Sequence, residues 1–373
     1  MKKSTIIIAF IFISNAIFSQ TINFLDINFK NRLLSASSVP GPTPVATDFN
    51  GYNMVIDSNS NGEIEVSEAQ AVFQLSVNIA GISNLIGIEY FTNLIYLDCS
   101  YNLLTTLDVT ALTNLVEFKC YHNNLNFLNI NGITSLKILS YGTNNLPNLN
   151  FSANVNLIEI YCGENNISNI DISQILDLRV LICYYNNITS IDVSNQLNLR
   201  ILECRNNLLT NIDLSNNKFF IGFNCSNNPL INLNIKRNRV FDYNTMFNMN
   251  FSNCPNLINV CADAVSLNDI QNKVNGYGYT NCSVNSNCNL STESNSFAEN
   301  LNVYPNPAKN TLNFDFKNKE GQFATTIFNS LGQIVLNENN QNQIDISNLI
   351  AGIYVVDIKT ADKVFRTKFS KTN

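Results

Sequence analysis

A fixed interval of 21 residues constrains this chain more than any other feature. The segments RVLICYYNNITSIDVS, from Arg179, and RILECRNNLLTNIDLS, from Arg200, superpose without a gap. Aligned on their cysteines, the units give one apolar column at Leu94, Leu115, Leu136, Leu157, Leu178, Leu199 and Phe220. A second follows three residues later at Leu97, Phe118, Leu139, Ile160, Leu181, Leu202 and Phe223. Asparagine then fills Asn102, Asn123, Asn144, Asn165, Asn186, Asn207 and Asn228, and a first unit from Leu75 joins the array at a spacing of 22. A unit this short cannot bury its own apolar face, so it must stack on its neighbours.

The unit, LxxLxCxxNxLxxLDV, resembles the leucine-rich repeat in its short bacterial form, with cysteine where leucine usually stands in the strand. The resemblance implies a mostly β solenoid of short parallel strands with capped ends. Alternation within a strand turns Cys99, Cys120, Cys162, Cys183, Cys204 and Cys225 inward. Parallel neighbours lie ~4.8 Å apart, whereas a disulfide needs Cβ atoms at ~3.8 Å. These six are therefore expected to be buried free thiols, small hydrophobes rather than redox or metal ligands. Tyr141 stands at one cysteine position and interrupts the series. The asparagine column is expected to cap backbone groups where each strand leaves for its turn.

Four further cysteines break the period. Cys254, Cys261, Cys282 and Cys288 follow the last full repeat, where SLNDIQNKVNGYG predicts a short helix from Leu267 to about Asn275, stopped by Gly276. A solenoid must cover its exposed end, and a small cap in an oxidising compartment suits disulfides. Three pairings are open; a link from Cys261 to Cys282 would tie the helix to the last strand. Their spacings match no paired CxxC zinc arrangement.

Ahead of the repeats, DSNSNGEIEVSE fits the calcium loop D-x-[DN]-x-[DN]-G-x5-E at every fixed position. Asp57, Asn59 and Asn61 supply side-chain oxygens, Glu63 its carbonyl, Glu65 a direct or water-mediated contact and Glu68 two carboxylate oxygens, with Gly62 at the sharp turn. The expected cofactor is calcium, at the ~0.1 to 1 mM affinity of extracellular sites. A plain Asn-Gly turn is the competing reading. INFLDINFKNRLLS, just after the start of the mature chain, reads as an amphipathic helix covering the solenoid's first end.

The first twenty residues place two lysines before an apolar run from Ile6 to Ile13 and small residues at Ala16 and Ser19, the pattern of a signal peptide over 1–19. No later segment reaches the ~20 apolar residues of a membrane span. With 28 acidic against 22 basic residues and no basic block, nucleic acid is not an expected partner. The lone histidine, His122, disfavours histidine-based catalysis and zinc.

The organisation expected is an N-terminal cap over 20–74, repeats over 75–250, a cysteine-containing cap over 251–288, a polar linker over 289–302 and a last domain over 303–373. That last stretch alternates as strands, and carries YPNP at Tyr304 to Pro307, SLGQIV around Gly332, LIAGIYVVDI around Tyr354 and the basic end KFSK. It resembles the type A sorting domain of the type IX secretion system. The resemblance implies a small β-sandwich, delivery to the cell surface or medium, and the type IX machinery as a partner.

Function in a repeat scaffold is grafted onto the outward strand positions, here expected to form a concave sheet. They include Tyr96, Tyr101, Lys119, Tyr121, His122, Tyr161, Glu164, Tyr184, Tyr185, Glu203 and Arg205. Tyrosine offers flat contact area and a hydroxyl at low entropic cost. The expected role is non-enzymatic recognition of a protein or glycan ligand, centred on Tyr161 and Tyr184. A passive calcium-stabilised coat protein is the alternative. Carboxylates at Glu117, Glu159, Glu164 and Glu203 could pair at the spacing of an inverting glycosidase, but an open sheet desolvates an acid poorly.

Overall fold

The computed structural model describes residues 20–41, 44–237, 249–288, 301–316, 323–329, 333–360 and 364–372. The signal sequence, most of the linker, the turn at Gly332 and residues 361–363 lie outside them. Two compact units divide the chain, Met1–Cys288 and Asn289–Asn373.

The first unit is the solenoid. Its long sheet has ten strands: β1 (Ala46–Thr47), β2 (Gln74–Ser76), β3 (Tyr96–Asp98), β4 (Glu117–Lys119), β5 (Ile138–Ser140), β6 (Glu159–Tyr161), β7 (Val180–Ile182), β8 (Ile201–Glu203), β9 (Gly222–Asn224) and β10 (Met249–Asn250). From β2 onward every pairing is parallel and in register, so Leu97, Phe118, Leu139, Ile160, Leu181, Leu202 and Phe223 form one inward row. Each three-residue strand buries its middle residue and turns its two ends outward, which is how a period of two reads in a sheet with one covered face. Opposite the long sheet, Asn211–Asp213, Asn232–Asn234, Asn259–Cys261 and Ser283–Asn285 build a second, four-stranded sheet. The apolar columns fill the space between as one continuous core.

The six ladder cysteines are fully buried free thiols. Burial pushes their ionisation up, to about 12 at Cys162, which makes them inert packing. Tyr141 is equally buried, with its hydroxyl close to the Cys162 thiol.

Beside them runs the asparagine ladder. In each repeat the amide nitrogen donates to its own turn and to the preceding one, while the amide oxygen accepts a backbone N–H from the preceding turn. Asn186 Nδ2 reaches Cys183 O and Cys162 O at 3.1 Å each, and Ile167 N reaches Asn186 Oδ1 at 3.0 Å. Asn102, Asn123, Asn144, Asn165, Asn207 and Asn228 repeat the pattern. Backbone groups that would otherwise be orphaned at each strand exit are thereby satisfied.

Helix α1 (Ile27–Leu34) covers the first end, burying Phe29 and Leu33. Its N-cap, Asp26, accepts from Asn28 N and Phe29 N with one oxygen and from Ser83 N, Ser83 Oγ and Asn84 N with the other, clamping the cap onto the first repeat. Burial opposes the charge, but these bonds outweigh it and hold the Asp26 carboxyl below its ordinary range.

At the far end, α3 lies over Leu267–Gly276, matching the stop at Gly276; the helix between, α2, is Val66–Ala69. Lys273 Nζ donates to Met249 O and Tyr279 Oη to Phe251 O, closing the last turn. The disulfide corrects the expected pairing: it joins Cys261 to Cys288, with Cα atoms 5.2 Å apart. Register gives the reason. Cys261 pairs with Asn285 and Ser283 with Asn259, so Cys282 is held three residues, about 10 Å, back along the extended strand, whereas Cys288 lies past the strand end at Asn285, where the chain can bend towards Cys261. Cys282 and Cys254 are free and buried, not oxidised. Cys254 takes the place of the next ladder asparagine, its thiol directed at Cys225 O and Ser252 O as the Asn228 amide is at Cys204 O and Ser226 O.

The second unit has two antiparallel sheets. One contains β11 (Leu301–Tyr304), β12 (Thr311–Phe316) and β15 (Gln343–Asp345); the other contains β13 (Phe323–Phe328), β14 (Ile334–Asn339), β16 (Gly352–Thr360) and β17 (Val364–Lys371). Leu312, Phe314, Ile327, Val356 and Phe369 are among the side chains buried in its core. The YPNP motif secures the last strand: Asn306 Oδ1 accepts from Ser370 N at 2.9 Å and its amide donates to Lys368 O.

Candidate ligand-binding face and calcium loop

The outward ends of β2 to β10, with the two residues after each inward cysteine, form the face of the long sheet. Strand pairing continues past the strands, because His122 N donates to Gly142 O, Thr143 N to Gly163 O and Glu164 N to Tyr184 O. Tyr121, Gly142, Gly163 and Tyr184 are thus four adjacent positions in one row, and Tyr101, His122, Thr143, Glu164 and Tyr185 form the next.

That second row has a conformation the repeat pattern does not announce. Ile79, Tyr101, His122, Thr143, Glu164, Tyr185, Asn206, Asn227 and Asn253 all have φ between 50° and 57°. The left-handed region suits asparagine and disfavours bulky or β-branched side chains. Asparagines at the later positions were the available sequence signal. Ile79, at 77% exposure, gains nothing from burial in return.

The tyrosines group differently from the expected pair. Tyr161 turns its hydroxyl to Glu159 Oε2 at 2.6 Å, and burial with that bond pushes its ionisation up to about 12. The Tyr184 ring lies over Gly163, where an added Cβ would come within 2.9 Å of ring atoms. The Arg205 guanidinium sits 4.3 Å from the Tyr184 ring centre and 5.4 Å from that of Tyr185. Burial raises the neighbouring Glu203 carboxyl, and Arg205 moderates the shift. Nearer the N-terminal end, Tyr101 stacks on His122 at 4.4 Å and meets Tyr121 edge-on at 5.3 Å. Lys119 Nζ lies 5.1 Å from the Tyr96 ring and 2.7 Å from Glu117. Glu164 accepts from Thr143 Oγ1 at 3.2 Å. Thr143 and the two glycines escaped the sequence reading, which sought side chains that make contact rather than positions that leave room.

In the loop from Asp57 to Glu68, Asp57 accepts from Asn61 N and Gly62 N, Asn59 from Asn61 N, and Asn61 from Glu63 N. Gly62 has φ 79°. The amides of Asn59 and Asn61 both converge on Glu65, at 3.1 and 2.8 Å, and Glu68 accepts from Ser58 N, Ser58 Oγ and Glu65 N. Glu63 pairs with Lys30 of α1 at 2.7 Å. Among the described residues no three His, Cys, Asp or Glu side chains cluster as metal ligands; the loop's donors include two asparagine carbonyls and a backbone oxygen. The loop carries hard oxygen donors of the kind calcium takes, and a half-turn of each asparagine amide would exchange N–H for carbonyl oxygen beside Glu65, giving up the bonds from Asn61 N and Glu63 N.

Residues 302–372 match the model of the secretion system C-terminal sorting domain. This places the protein on the type IX route, exported to the cell surface or released; no described helix is long and apolar enough to cross a membrane. No curated protein matches the chain. Among solved structures, it is similar to the functional domain of InlJ from Listeria monocytogenes, described as including a cysteine ladder, at 17% identity over 95% of this chain and 99% of that one, with a TM-score of 0.34. It is similar to an internalin C2 of the same organism, at 21% identity over 64% and 93% with a TM-score of 0.41. A leucine-rich repeat protein of Leptospira interrogans aligns at 17% identity over 59% and 62%, with a TM-score of 0.45.

Proposed function

We propose that the exported protein is a non-enzymatic recognition protein that binds a protein or glycan ligand on the outward face of its long sheet. One observation carries the reading: exposed aromatic residues hold left-handed backbone positions that asparagine would fill at lower cost. Tyr121, His122, Tyr161, Glu164, Tyr184, Tyr185, Glu203 and Arg205 are the candidate contacts. Glu117 and Glu159 stand two strands apart in register, about 10 Å, but Glu117 is engaged by Lys119 and Glu159 by Tyr161. The test is a screen of the exported chain against glycans and surface proteins, followed by Tyr121→Ala and Tyr184→Ala. Binding lost in these folded variants supports the reading. Binding that survives both moves the site off this face, and a ligand-free outcome favours the passive coat.

Calcium belongs to the same proposal. Asp57, Asn59, Asn61, Glu63, Glu65 and Glu68 would hold the ion, which would tie the loop to α1 through the neighbouring Lys30–Glu63 pair. Millimolar calcium should raise the melting temperature, a linkage of ~0.4 to 1.4 kcal/mol at one to ten times the dissociation constant. Glu68→Gln should remove the effect, and identical melts in calcium and chelator would leave the loop a plain turn.

A further inference from the structure

The outward face twice completes the same arrangement from its own residues. Lys119 lies against the Tyr96 ring and pairs with Glu117; Arg205 lies against Tyr184 and offsets Glu203. In both a cation lies on an aromatic ring with a carboxylate nearby, joined to it by a salt bridge at Lys119 and acting on it through space at Arg205. A third set lacks its cation. Tyr101, Tyr121 and His122 pack together, while Glu164, two strands further on, is held by a hydroxyl, Thr143 Oγ1. The salt bridges among the described residues do not involve this carboxylate.

Between these groups lies Gly142. Its φ is not positive, and Ser100, Tyr121, Tyr184, Arg205 and Ser226 carry side chains in the same row, so the backbone does not require glycine there. A Cβ at Gly142 would come 3.0 Å from Gly163 O, so a side chain there would need the neighbouring backbone to give way slightly. With no side chain at Gly142, only backbone stands in this row between Tyr121 and the Tyr184 ring over Gly163. His122 and Glu164 are two strand spacings apart, about 10 Å, and the Thr143 bond draws the Glu164 carboxylate back across that interval. The space suits one flat or slender cationic group in contact with an aromatic ring on one side and a carboxylate on the other.

We propose that the opening over Gly142, between Tyr121–His122 and Glu164, receives a lysine or arginine side chain of a protein partner. This rests on the outward-face reading and narrows it to a peptide ligand with a cationic anchor. Charge complementarity selects the occupant: a neutral sugar would leave Glu164 without a countercharge, and an acidic segment would be repelled.

A random dodecapeptide display library selected on the full exported chain tests this. Recovered peptides should share an arginine or lysine whose replacement by citrulline or norleucine weakens binding at least tenfold. Glu164→Gln, which keeps the Thr143 contact, and Tyr121→Ala should each weaken it at least fivefold. Asp269→Asn, an equal charge change on α3, should not. Peptides that tolerate citrulline yet depend on Tyr121, a glycan array giving the only Tyr121-dependent binders, or a selection yielding no cation-dependent peptide would overturn the cationic anchor and leave the outward-face reading standing. Binders indifferent to both Tyr121 and Tyr184 would remove both.

Discussion

Two neighbouring columns of the same repeats obey opposite rules. At Asn123, Asn144, Asn165 and Asn186 the side chain is buried and makes the same set of backbone bonds in every turn. One residue earlier, at His122, Thr143, Glu164 and Tyr185, the backbone is equally fixed, near φ +50°, yet the side chain changes from turn to turn. The first column is invariant because several partners read each amide. The second is free because the solenoid reads only its backbone. At Asn206–Asn207 and Asn227–Asn228 both columns are asparagine, which is what folding alone would choose, so the second column's departures mark where something other than folding acts.

The largest expected effect lies in the first column. Asn165→Leu removes the donors to Tyr141 O and Cys162 O and the acceptor for Leu146 N. Three buried backbone groups then lack partners, at ~1 to 3 kcal/mol each before relaxation. A loss of about 3 to 5 kcal/mol in denaturant unfolding is expected. Tyr161→Ala, on an outward position of the same repeat, should change stability by less than about 1 kcal/mol. Similar losses for the two would dissolve the distinction between the columns.

At the N-terminal cap the inward rule operates through a residue that does not repeat. Asp26 joins α1 to the first repeat through five accepted bonds, and Asp26→Ala should cost about 2 to 3 kcal/mol. Its carboxyl titrates below the ordinary value when folded. The stability it contributes is therefore fully present above about pH 4 and is lost as pH falls through the depressed folded value. Asp26→Asn should flatten the acid limb of a melting-temperature profile below pH 4, and an unchanged limb would mean the clamp is energetically idle.

What the sequence made legible follows the same division. The solenoid, the inward cysteines, the capping asparagines and α3 repeat or carry a local stop signal, so spacing alone located them. The Cys261–Cys288 link was not legible, because it depends on the last strand's register and on where that strand ends and the chain bends, not on proximity along the chain. Tyr161 and Tyr184 share the outward face as spacing implied. Their rings part company because Gly163 leaves room for one and Glu159 offers a bond to the other.

Thiol chemistry sharpens the inward rule further. The native chain should resist alkylation at neutral pH, since burial holds Cys162 near 12 and pushes the other ladder thiols up as well. After denaturation eight thiols should react, the six of the ladder with Cys254 and Cys282. Cys183→Ser should destabilise by ~1 to 3 kcal/mol, through a hydroxyl buried without an assured partner. Rapid native labelling of a ladder thiol would show a looser core.

The smallest expected effect is the most direct on the second column, because it has the opposite sign. Ile79 is β-branched, left-handed at φ 50° and 77% exposed. Its branched Cβ is crowded by the backbone in that region, and little apolar area is buried to offset the strain. Asparagine, which the same column carries at Asn206, Asn227 and Asn253, tolerates the conformation. Ile79→Asn should therefore stabilise the protein, by about 0.5 to 1 kcal/mol, and Tyr185→Asn should be close to neutral because it also gives up the contacts with Tyr184 and Arg205. Paired denaturation curves decide it. A destabilised Ile79→Asn would mean that the isoleucine serves the fold after all, and the column could no longer be taken as a record of ligand contact. A gain in stability with a loss of ligand affinity would show that this row trades folding free energy for recognition.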